Sequence, residues 1–332
     1  MITARRDNGA VPLPAAVSAV RMAVRGLLES DEAVPYVGAP VLVACSGGAD
    51  SLALAAAAAH VVRGRTVRGL VVDHGLQDGS AAVAQRAAEQ LEGLGLAEVT
   101  VLSARVGGPG GMEAAARRAR YAALESARPE GGLVLLGHTR DDQAETVLLG
   151  LGRGSGPRSI AGMRPLSPPW ARPFLDLPRE TTVTACAELG LEPWHDPHNT
   201  DERFTRVRLR TEVLPLLDDV LQGGVAPALA KTAAQLRDDS EALDGLADRV
   251  LTAAHTAENG LEVREFECEP AAVRRRVLRR WLLREGVPEV SDGHLRAADA
   301  LVADWRGQGP HHLPGNFVLR RTHGTLLVEV QG

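Results

Sequence analysis

The feature that most restricts the architecture is an alternation of short apolar, β-branched runs with small-residue helical stretches between Val41 and Gly150. Val41–Cys45 reads as a buried strand, and Leu52–Val62 as a helix entered through a Ser/Gly loop. Val67–Asp73 is a second strand, followed by a helix over about Ala81–Leu94. Glu98–Ser103 and Met112–Ser126 make a third pair, and Leu133–Gly137 with Asp141–Gly150 a fourth. Strands that each lead into a helix pair in parallel beneath helices on both faces, so the expected class is α/β, a doubly wound parallel sheet. Right-handed crossovers put the ligand site of such a sheet at the carboxyl ends of its strands. The three least ordinary segments, 46–51, 73–77 and 137–145, all begin at those ends.

After Gly150 the texture changes. Residues 152–178 are rich in Gly, Pro and Arg, which predicts a long irregular connection. A helix over about Arg179–Leu189 follows, then a polar loop containing Asp196, Asn199 and Asp201. Beyond Leu214–Pro215 the pattern is mostly helical, through about 230–255 and 270–285, and Asn316–Val330 has strand character. The expected organisation is an N-terminal helical extension over 1–37, a nucleotide-binding domain over 38–217 and a second, mainly helical domain over 218–332.

The net charge is −5, so no global charge imbalance points to nucleic acid or a membrane surface. Lys231 is the only lysine, which makes arginine the default cation and arginine content a weak signal by itself. Cys45, Cys186 and Cys268 lie far apart and form no CxxC pair, which argues against a disulfide framework or a zinc ribbon. No apolar run reaches the roughly 20 residues that cross a bilayer, and Arg5, Arg6 and Asp7 are not followed by a signal-type apolar segment. A cytoplasmic protein without membrane contact is expected.

The segment Ser46-Gly47-Gly48-Ala49-Asp50-Ser51 sits directly between a strand and a helix. Gly47 and Gly48 allow positive φ and a close approach of the backbone to an anion. Successive amides in such a turn, with the positive end of the following helix, make an anion site. The hydroxyls of Ser46 and Ser51 offer further donors. Asp50 beside polyphosphate is repulsive unless a cation lies between, so its natural task is to hold Mg²⁺, directly or through water. The Gly-Lys-Ser/Thr of a Walker A loop is missing, which excludes that class of nucleoside triphosphatase. The plain alternative is a Ser/Gly turn that merely joins strand to helix.

The loop resembles the PP-loop of N-type ATP pyrophosphatases, which cleave ATP to AMP and pyrophosphate, and so implies an adenine nucleotide alpha hydrolase-like fold. Three further stretches narrow the resemblance. They are Gly137-His138-Thr139-Arg140-Asp141-Asp142-Gln143-Ala144-Glu145-Thr146 with Arg153-Gly154-Ser155-Gly156; Met112–Tyr121; and Trp194 through Asp196-Pro197-His198-Asn199 to Phe204–Arg210 and Leu214-Pro215. With Asp73-His74-Gly75-Leu76 they are similar, over roughly 41–217, to the tRNA(Ile)-lysidine synthetase family. The resemblance implies an ATP-dependent ligase that joins L-lysine to carbon 2 of the wobble cytidine of the isoleucine tRNA with a CAU anticodon, through an adenylated intermediate, releasing AMP and pyrophosphate.

Site residues follow from that resemblance. Ser46, Gly47, Gly48, Ala49, Asp50 and Ser51 bind ATP, with Arg210 approaching its phosphates. Asp50 holds Mg²⁺, Arg120 stabilises charge during adenylation, and Asp142 with Glu145 holds the substrate lysine. His138 lies beside the nucleotide, where it donates a hydrogen bond or moves a proton; a packed, hydrogen-bonded histidine is the alternative. Arg206, Arg208 and Arg210 share one face if their segment is extended and not if it is helical. Arg153–Gly156 is either a helix C-cap or a loop beside the site. In the last domain Arg274, Arg275, Arg276, Arg279, Arg280 and Arg284 either contact tRNA phosphates or form the basic outer face of an amphipathic helix. His311-His312 has no third ligand at metal spacing and reads as structural.

Gln77, His198 and Val207 stand where the family pattern usually has Arg, Ser and Asn, which puts local contacts in doubt and not the reaction. The extra terminal domain of longer members is not expected here, and one accessory domain is then expected to do most of the tRNA selection. A tRNA thiolase would need cysteines placed to carry sulfur or a cluster, an amidating synthetase a glutaminase domain, and a non-catalytic binder would not need Asp50, Arg120, Asp142 and Glu145 together.

Overall fold

Every residue of Val41–Cys45 except Ala44 is buried, as a strand covered on both faces must be. This strand, β1, lies inside a six-stranded sheet of a computed structural model that describes residues 13–75, 79–107, 111–154, 156–197 and 201–331. Leu76, Gln77, Ser155, His198, Asn199 and the side chain of Glu113, all noted above, lie outside the described residues. The other strands are β2 (Val67–Asp73), β3 (Glu98–Ser103), β4 (Leu133–Leu135), β5 (Leu166–Ser167) and β6 (Trp170–Ala171), in the order β3-β2-β1-β4-β6-β5. All neighbours are parallel except the terminal β5–β6 pair. Val41 faces Val67 on one side and Leu133 on the other, so the chain order reverses across β1, the switch point where α/β sheets bind ligands.

The helices of this part are α1 (Ala15–Leu28), α2 (Ala49–Val61), α3 (Ser80–Gly93), α4 (Gly111–Ala127), α5 (Arg140–Gly152), α6 (Pro157–Ile160) and α7 (Arg179–Glu188). α2 is buried continuously from Ser51 to Ala58. Its alanines let α1 and α7 pack closely on it, so its sequence is apolar all round rather than amphipathic. On the opposite face Leu42, Leu70, Val134 and Leu136 pack with Leu124 of α4.

Residues 205–220 run as α8 (Thr205–Arg208), a π-helical turn (Leu209–Val213) and α9 (Leu214–Val220). The segment is therefore helical, and an extended stretch with three arginines on one face is not what forms. Leu214 and Leu217 pack with Ala144 and Leu148 of α5 and with Val225 and Leu229, and that apolar seam selects the helical path. Arg206 and Arg210 then share a face, while Arg208 turns away to pair with Glu212 at 2.9 Å.

The chain divides into two compact units, Met1–Ala234 and Gln235–Gly332, with the division inside α10 (Val225–Ala254). The second unit contains α11 (Ala271–Arg284), α12 (Asp292–Ala303) and an antiparallel sheet ordered β7-β10-β9-β8. Its strands are β7 (Leu261–Glu262), β8 (His311–Leu313), β9 (Phe317–Thr322) and β10 (Thr325–Val330). Trp281 is fully buried at the centre and donates its indole N–H to the Asn259 carbonyl at 3.0 Å. The unit is thus helical with a four-stranded sheet, of which only Asn316–Val330 is visible as a pattern in the sequence. β7 and β8 are too short to show a period.

Most of the α11 arginines serve this unit internally. Arg274 and Arg275 pair with the buried Asp299 at 2.7 and 3.1 Å. Arg276 and Arg280 both reach Asp244 at 3.0 Å, and Arg279 donates to the Val290 carbonyl at 2.9 Å. His311 and His312 belong to β8.

Candidate active site

The loop between β1 and α2 turns on Gly47, whose φ of +81° is open to glycine at little cost. Two of its amides point inward. The Ser46 N–H donates to Ser51 Oγ at 3.1 Å and the Gly47 N–H to Cys45 Sγ at 3.4 Å, while Ser51 Oγ donates onward to the Gly48 carbonyl at 2.9 Å. The Ser51 hydroxyl therefore organises the loop. The amides left for an anion are those of the N-cap Gly48 and of Ala49, Asp50 and Ser51 in the first turn of α2, the donors that a helix start leaves without an intrahelical carbonyl. The Gly47 carbonyl accepts from the Trp194 N–H at 2.9 Å, which ties the 191–197 loop to this turn. Gly137, just beyond β4, lets α2 approach: a Cβ there would sit 2.9 Å from the Asp50 carbonyl oxygen.

A cavity of about 590 Å³ opens at the carboxyl ends of β1, β2 and β4. Its wall carries Ser46 and Gly48–Ser51 from the loop, Arg120 from α4, His138 and Asp142 from the β4–α5 corner, and Arg210. Asp73, His74, Arg179 and Trp194 complete the part that matters chemically. Of the residues assigned from sequence to ATP, Mg²⁺, adenylation or lysine, all but Gly47 and Glu145 line the cavity. Arg153 caps the C-terminus of α5, outside the cavity.

Three acids and three arginines interlock at and behind this wall. Asp142 spends Oδ2 on the Thr139 backbone N–H (2.8 Å) and hydroxyl (2.9 Å), which caps α5. Its Oδ1 takes Arg179 Nη2 at 2.7 Å and lies 3.5 Å from Arg210 Nη2. Arg210 donates through Nε to Glu145 Oε1 at 2.7 Å, and Arg206 Nη1 stands 3.6 Å from Oε2. Asp50 accepts the Thr182 hydroxyl on Oδ1 and faces Arg179 Nε at 3.4 Å on Oδ2.

Burial pushes the Asp50 and Glu145 carboxyls above their ordinary values, against the pull of Arg179 and Arg210 respectively. Burial acts on Asp142 in the same sense, but Arg179, the Thr139 amide and Arg210 hold it below its ordinary value. His138 is depressed to about 3 by burial, with Arg120 adding to the effect against Asp142, so its imidazole is neutral at physiological pH. His138 Nδ1, His74 Nδ1 and Arg120 Nε are buried without a hydrogen-bond partner. The Arg120 guanidinium lies 5.6 Å from the Tyr121 ring centroid, and Tyr121 packs edge-on against Trp170 at 4.7 Å, which fixes that end of α4.

Arg179 and Thr182 are the residues that sequence pattern alone passes over. One signal was available: Arg179 opens a helix directly after Pro178, where the helix dipole disfavours a cation, so nearby acids must compensate. Among the described residues no group of three His, Cys, Asp or Glu side chains is arranged around a metal. Cys45 and Cys186 are buried and Cys268 is exposed, each a free thiol.

Residues 24–217 match the PP-loop domain family and residues 261–327 the TilS substrate binding domain family. The tRNA(Ile)-lysidine synthase of Nocardia farcinica is 59% identical, over 94% of this chain and 98% of its own length. That of Rhodococcus erythropolis is 51% identical over 96% and 97%, and that of Mycobacterium tuberculosis 57% identical over 80% and 82%. Among solved structures, the U34-tRNA thiolase NcsA from Methanococcus maripaludis superposes with a TM-score of 0.54 at 15% identity, over 71% of this chain and 89% of that one. At that identity the likeness concerns the fold alone. The PP-loop geometry, the second matched domain and these near full-length relatives show that the chain belongs to the tRNA(Ile)-lysidine synthase family.

Proposed function

We propose that this protein uses ATP to join L-lysine to carbon 2 of the wobble cytidine in the isoleucine tRNA with a CAU anticodon, in the cytoplasm. The observation that carries the chemistry is one cavity whose wall holds the amide-lined N-terminus of α2 with Asp50 and, across Arg179 from it, the Asp142 carboxylate. A triphosphate suits the amides and a primary ammonium the Asp142 carboxylate. No single helix among the described residues is long and apolar enough to cross a membrane.

The ring carbonyl of cytidine is a poor electrophile, and its oxygen a poor leaving group. Transfer of AMP from ATP to that oxygen, with pyrophosphate departing, makes it a good one. The lysine amine then adds at carbon 2, AMP leaves, and one proton is released. The first-turn amides of α2 hold phosphate oxygens without reorganisation. Arg120, always charged and at the cavity wall, offsets negative charge that grows during adenylyl transfer. His138 holds no proton at neutral pH beyond its single N–H, so it serves as a neutral hydrogen-bonding group and not as a resident acid. Asp142 orients the lysine; Glu145 contributes through Arg210, behind which it is sealed.

A divalent cation fits the donor set. Mg²⁺ takes one or two carboxylates together with phosphate oxygens and water, and Asp50 is a wall carboxylate beside the first-turn amides. Asp50 would hold it once Arg179 withdraws from Oδ2. Bound there, Mg²⁺ would neutralise charge on the departing pyrophosphate. The catalytic domain then corresponds to residues 38–217, and 218–332 to the tRNA-selecting part.

The test is incubation of the protein with ATP, lysine and unfractionated tRNA, followed by nucleoside mass analysis. The expected product is a cytidine heavier by one lysine less water, formed with stoichiometric pyrophosphate. Pyrophosphate release that ignores both lysine and tRNA would overturn the assignment.

A further inference from the structure

Arg179 bridges two carboxylates of the cavity wall. Its backbone N–H is pinned by Asp141 Oδ2 at 2.8 Å, while its guanidinium spans from Asp142 Oδ1 (Nη2, 2.7 Å) to Asp50 Oδ2 (Nε, 3.4 Å). Its Nε is buried and makes no hydrogen bond of good geometry, so the contact with Asp50 is charge attraction without a fixed direction. Asp142 has already committed Oδ2 to Thr139. Oδ1 is thus the oxygen left for an incoming ammonium, and Arg179 holds it at 2.7 Å with Arg210 farther off at 3.5 Å.

We propose that Arg179 is a displaceable internal counter-ion that keeps the lysine subsite closed until the triphosphate is bound. This rests on the lysine reading of Asp142. In the chain as it stands, Arg179 neutralises one acid from each subsite. A triphosphate brings several negative oxygens into the same cavity, and a bidentate phosphate acceptor replaces the single 2.7 Å bond to Asp142 and the 3.4 Å contact with Asp50 that hold the guanidinium now. The side chain is long, lies in the cavity wall and is a quarter exposed (24%), so it can change partners without moving α7. Once it swings to the phosphates, Asp50 is open to a cation and Asp142 Oδ1 to the lysine ammonium. The order of binding follows, with nucleotide ahead of lysine. A premature lysine is excluded by an arginine that imitates its charge, not by a moving lid.

Lysine affinity should therefore depend on nucleotide, and by linkage the reverse must hold to the same factor. The full chain is titrated with lysine by calorimetry, alone and with saturating Mg²⁺ and α,β-methylene-ATP, which cannot release pyrophosphate. Lysine should bind on the order of tenfold more tightly with the analogue present. In Arg179→Gln, lysine alone should bind more tightly than to the unaltered protein, and the ratio should fall towards one. Lysine that binds equally well with and without the analogue overturns the gate while leaving the lysine site intact. Lysine that binds under neither condition overturns the site assignment and the gate together. A ratio that survives in Arg179→Gln, with unfolding temperature unchanged, also overturns it. The ratio in the unaltered protein decides the matter if that variant fails to fold, and Arg179→Lys, which keeps the charge but loses the fork, should retain part of it.

Discussion

Arg210 seals Glu145: its Nε and Nη2 both lie 2.7 Å from Oε1, and the carboxylate beneath has no solvent exposure. Removing one partner of such a pair leaves a buried charge, which costs about 3–5 kcal/mol where no other group takes over. Arg206, 3.6 Å from Oε2, offsets part of that here. Arg210→Ala should lower unfolding free energy by about 3 kcal/mol, measured by urea denaturation. The double change Arg210→Met with Glu145→Met should recover most of the loss. If Arg210→Ala weakens nucleotide binding without loss of stability, the arginine serves the phosphates alone.

Gly137 offers a separate test of the loop. Alanine would place a methyl 2.9 Å from the Asp50 carbonyl oxygen and 3.1 Å from the Ser51 nitrogen, both backbone atoms that cannot rotate aside. The N-terminal turn of α2 must shift to accommodate it. Gly137→Ala should destabilise the chain by roughly 1–3 kcal/mol, and should weaken α,β-methylene-ATP binding more than lysine binding measured with the analogue saturating. A variant with normal nucleotide affinity would argue that the first-turn amides do not hold the phosphates.

What the sequence made legible, and what it did not, follows from the range of the interactions involved. The sheet was readable because buried parallel strands are short, β-branched and regularly spaced, as Val41–Cys45 and Val67–Asp73 are. Asp142 and His138 were readable because a strand end is where a doubly wound sheet binds its ligand. Arg179 was not, since its partners Asp50 and Asp142 are remote in the chain and meet it only after folding. Nor was the helical path of Arg206–Arg210, where alternating charge left extended and helical paths open and the packing of Leu214 and Leu217 on α5 decides. Glu145 looked like a partner of Asp142 by helical spacing, yet the two differ in access because Arg210 lies over one and the cavity opens on the other.

Asp142 is better probed by Asn than by Ala, because alanine would also remove the acceptor for the Thr139 backbone N–H and hydroxyl. Asp142→Asn keeps an acceptor for the cap and loses the charge that faces an ammonium. A charge-assisted contact is worth about 1.5–3 kcal/mol, so lysine KM should rise roughly ten- to a hundredfold while ATP affinity changes little. Steady-state kinetics at varied lysine, with direct nucleotide titration beside them, separate the two. Equal loss of both would mean that Asp142 belongs to the nucleotide site.

His138 gives the protein a pH signature. The unfolded chain takes up this proton near the ordinary 6.5, whereas the folded chain takes it up only near 3. Between those values unfolding binds a proton, so the His138 contribution is present in full above about pH 6.5 and is lost progressively towards pH 3. Asp50 and Glu145, raised by burial, act in the opposite sense, so the protein's own profile mixes the terms. The difference between the unaltered chain and His138→Gln isolates the histidine. That difference in unfolding temperature should shift in favour of the glutamine variant as pH falls from 7 to 5. A constant difference would mean that the folded chain accepts the proton as readily as the unfolded one.

The arginines of α11 should matter to stability before they matter to tRNA. Arg274 and Arg275 converge on Asp299, whose side chain is only 6% exposed, and Arg274 also donates to the Glu269 carbonyl at 2.6 Å. Arg274→Gln leaves that carboxylate with a single, more distant cation and should cost about 2 kcal/mol or more, read as a lower unfolding temperature. Arg284, exposed at the end of the same helix, stands outside these pairs. A phosphate contact there would show as a weaker dependence of tRNA affinity on salt in Arg284→Gln, its slope reduced by about one. If Arg274→Gln lowers the salt slope and leaves the unfolding temperature untouched, the buried pairs are not structural, and this helix face meets tRNA directly.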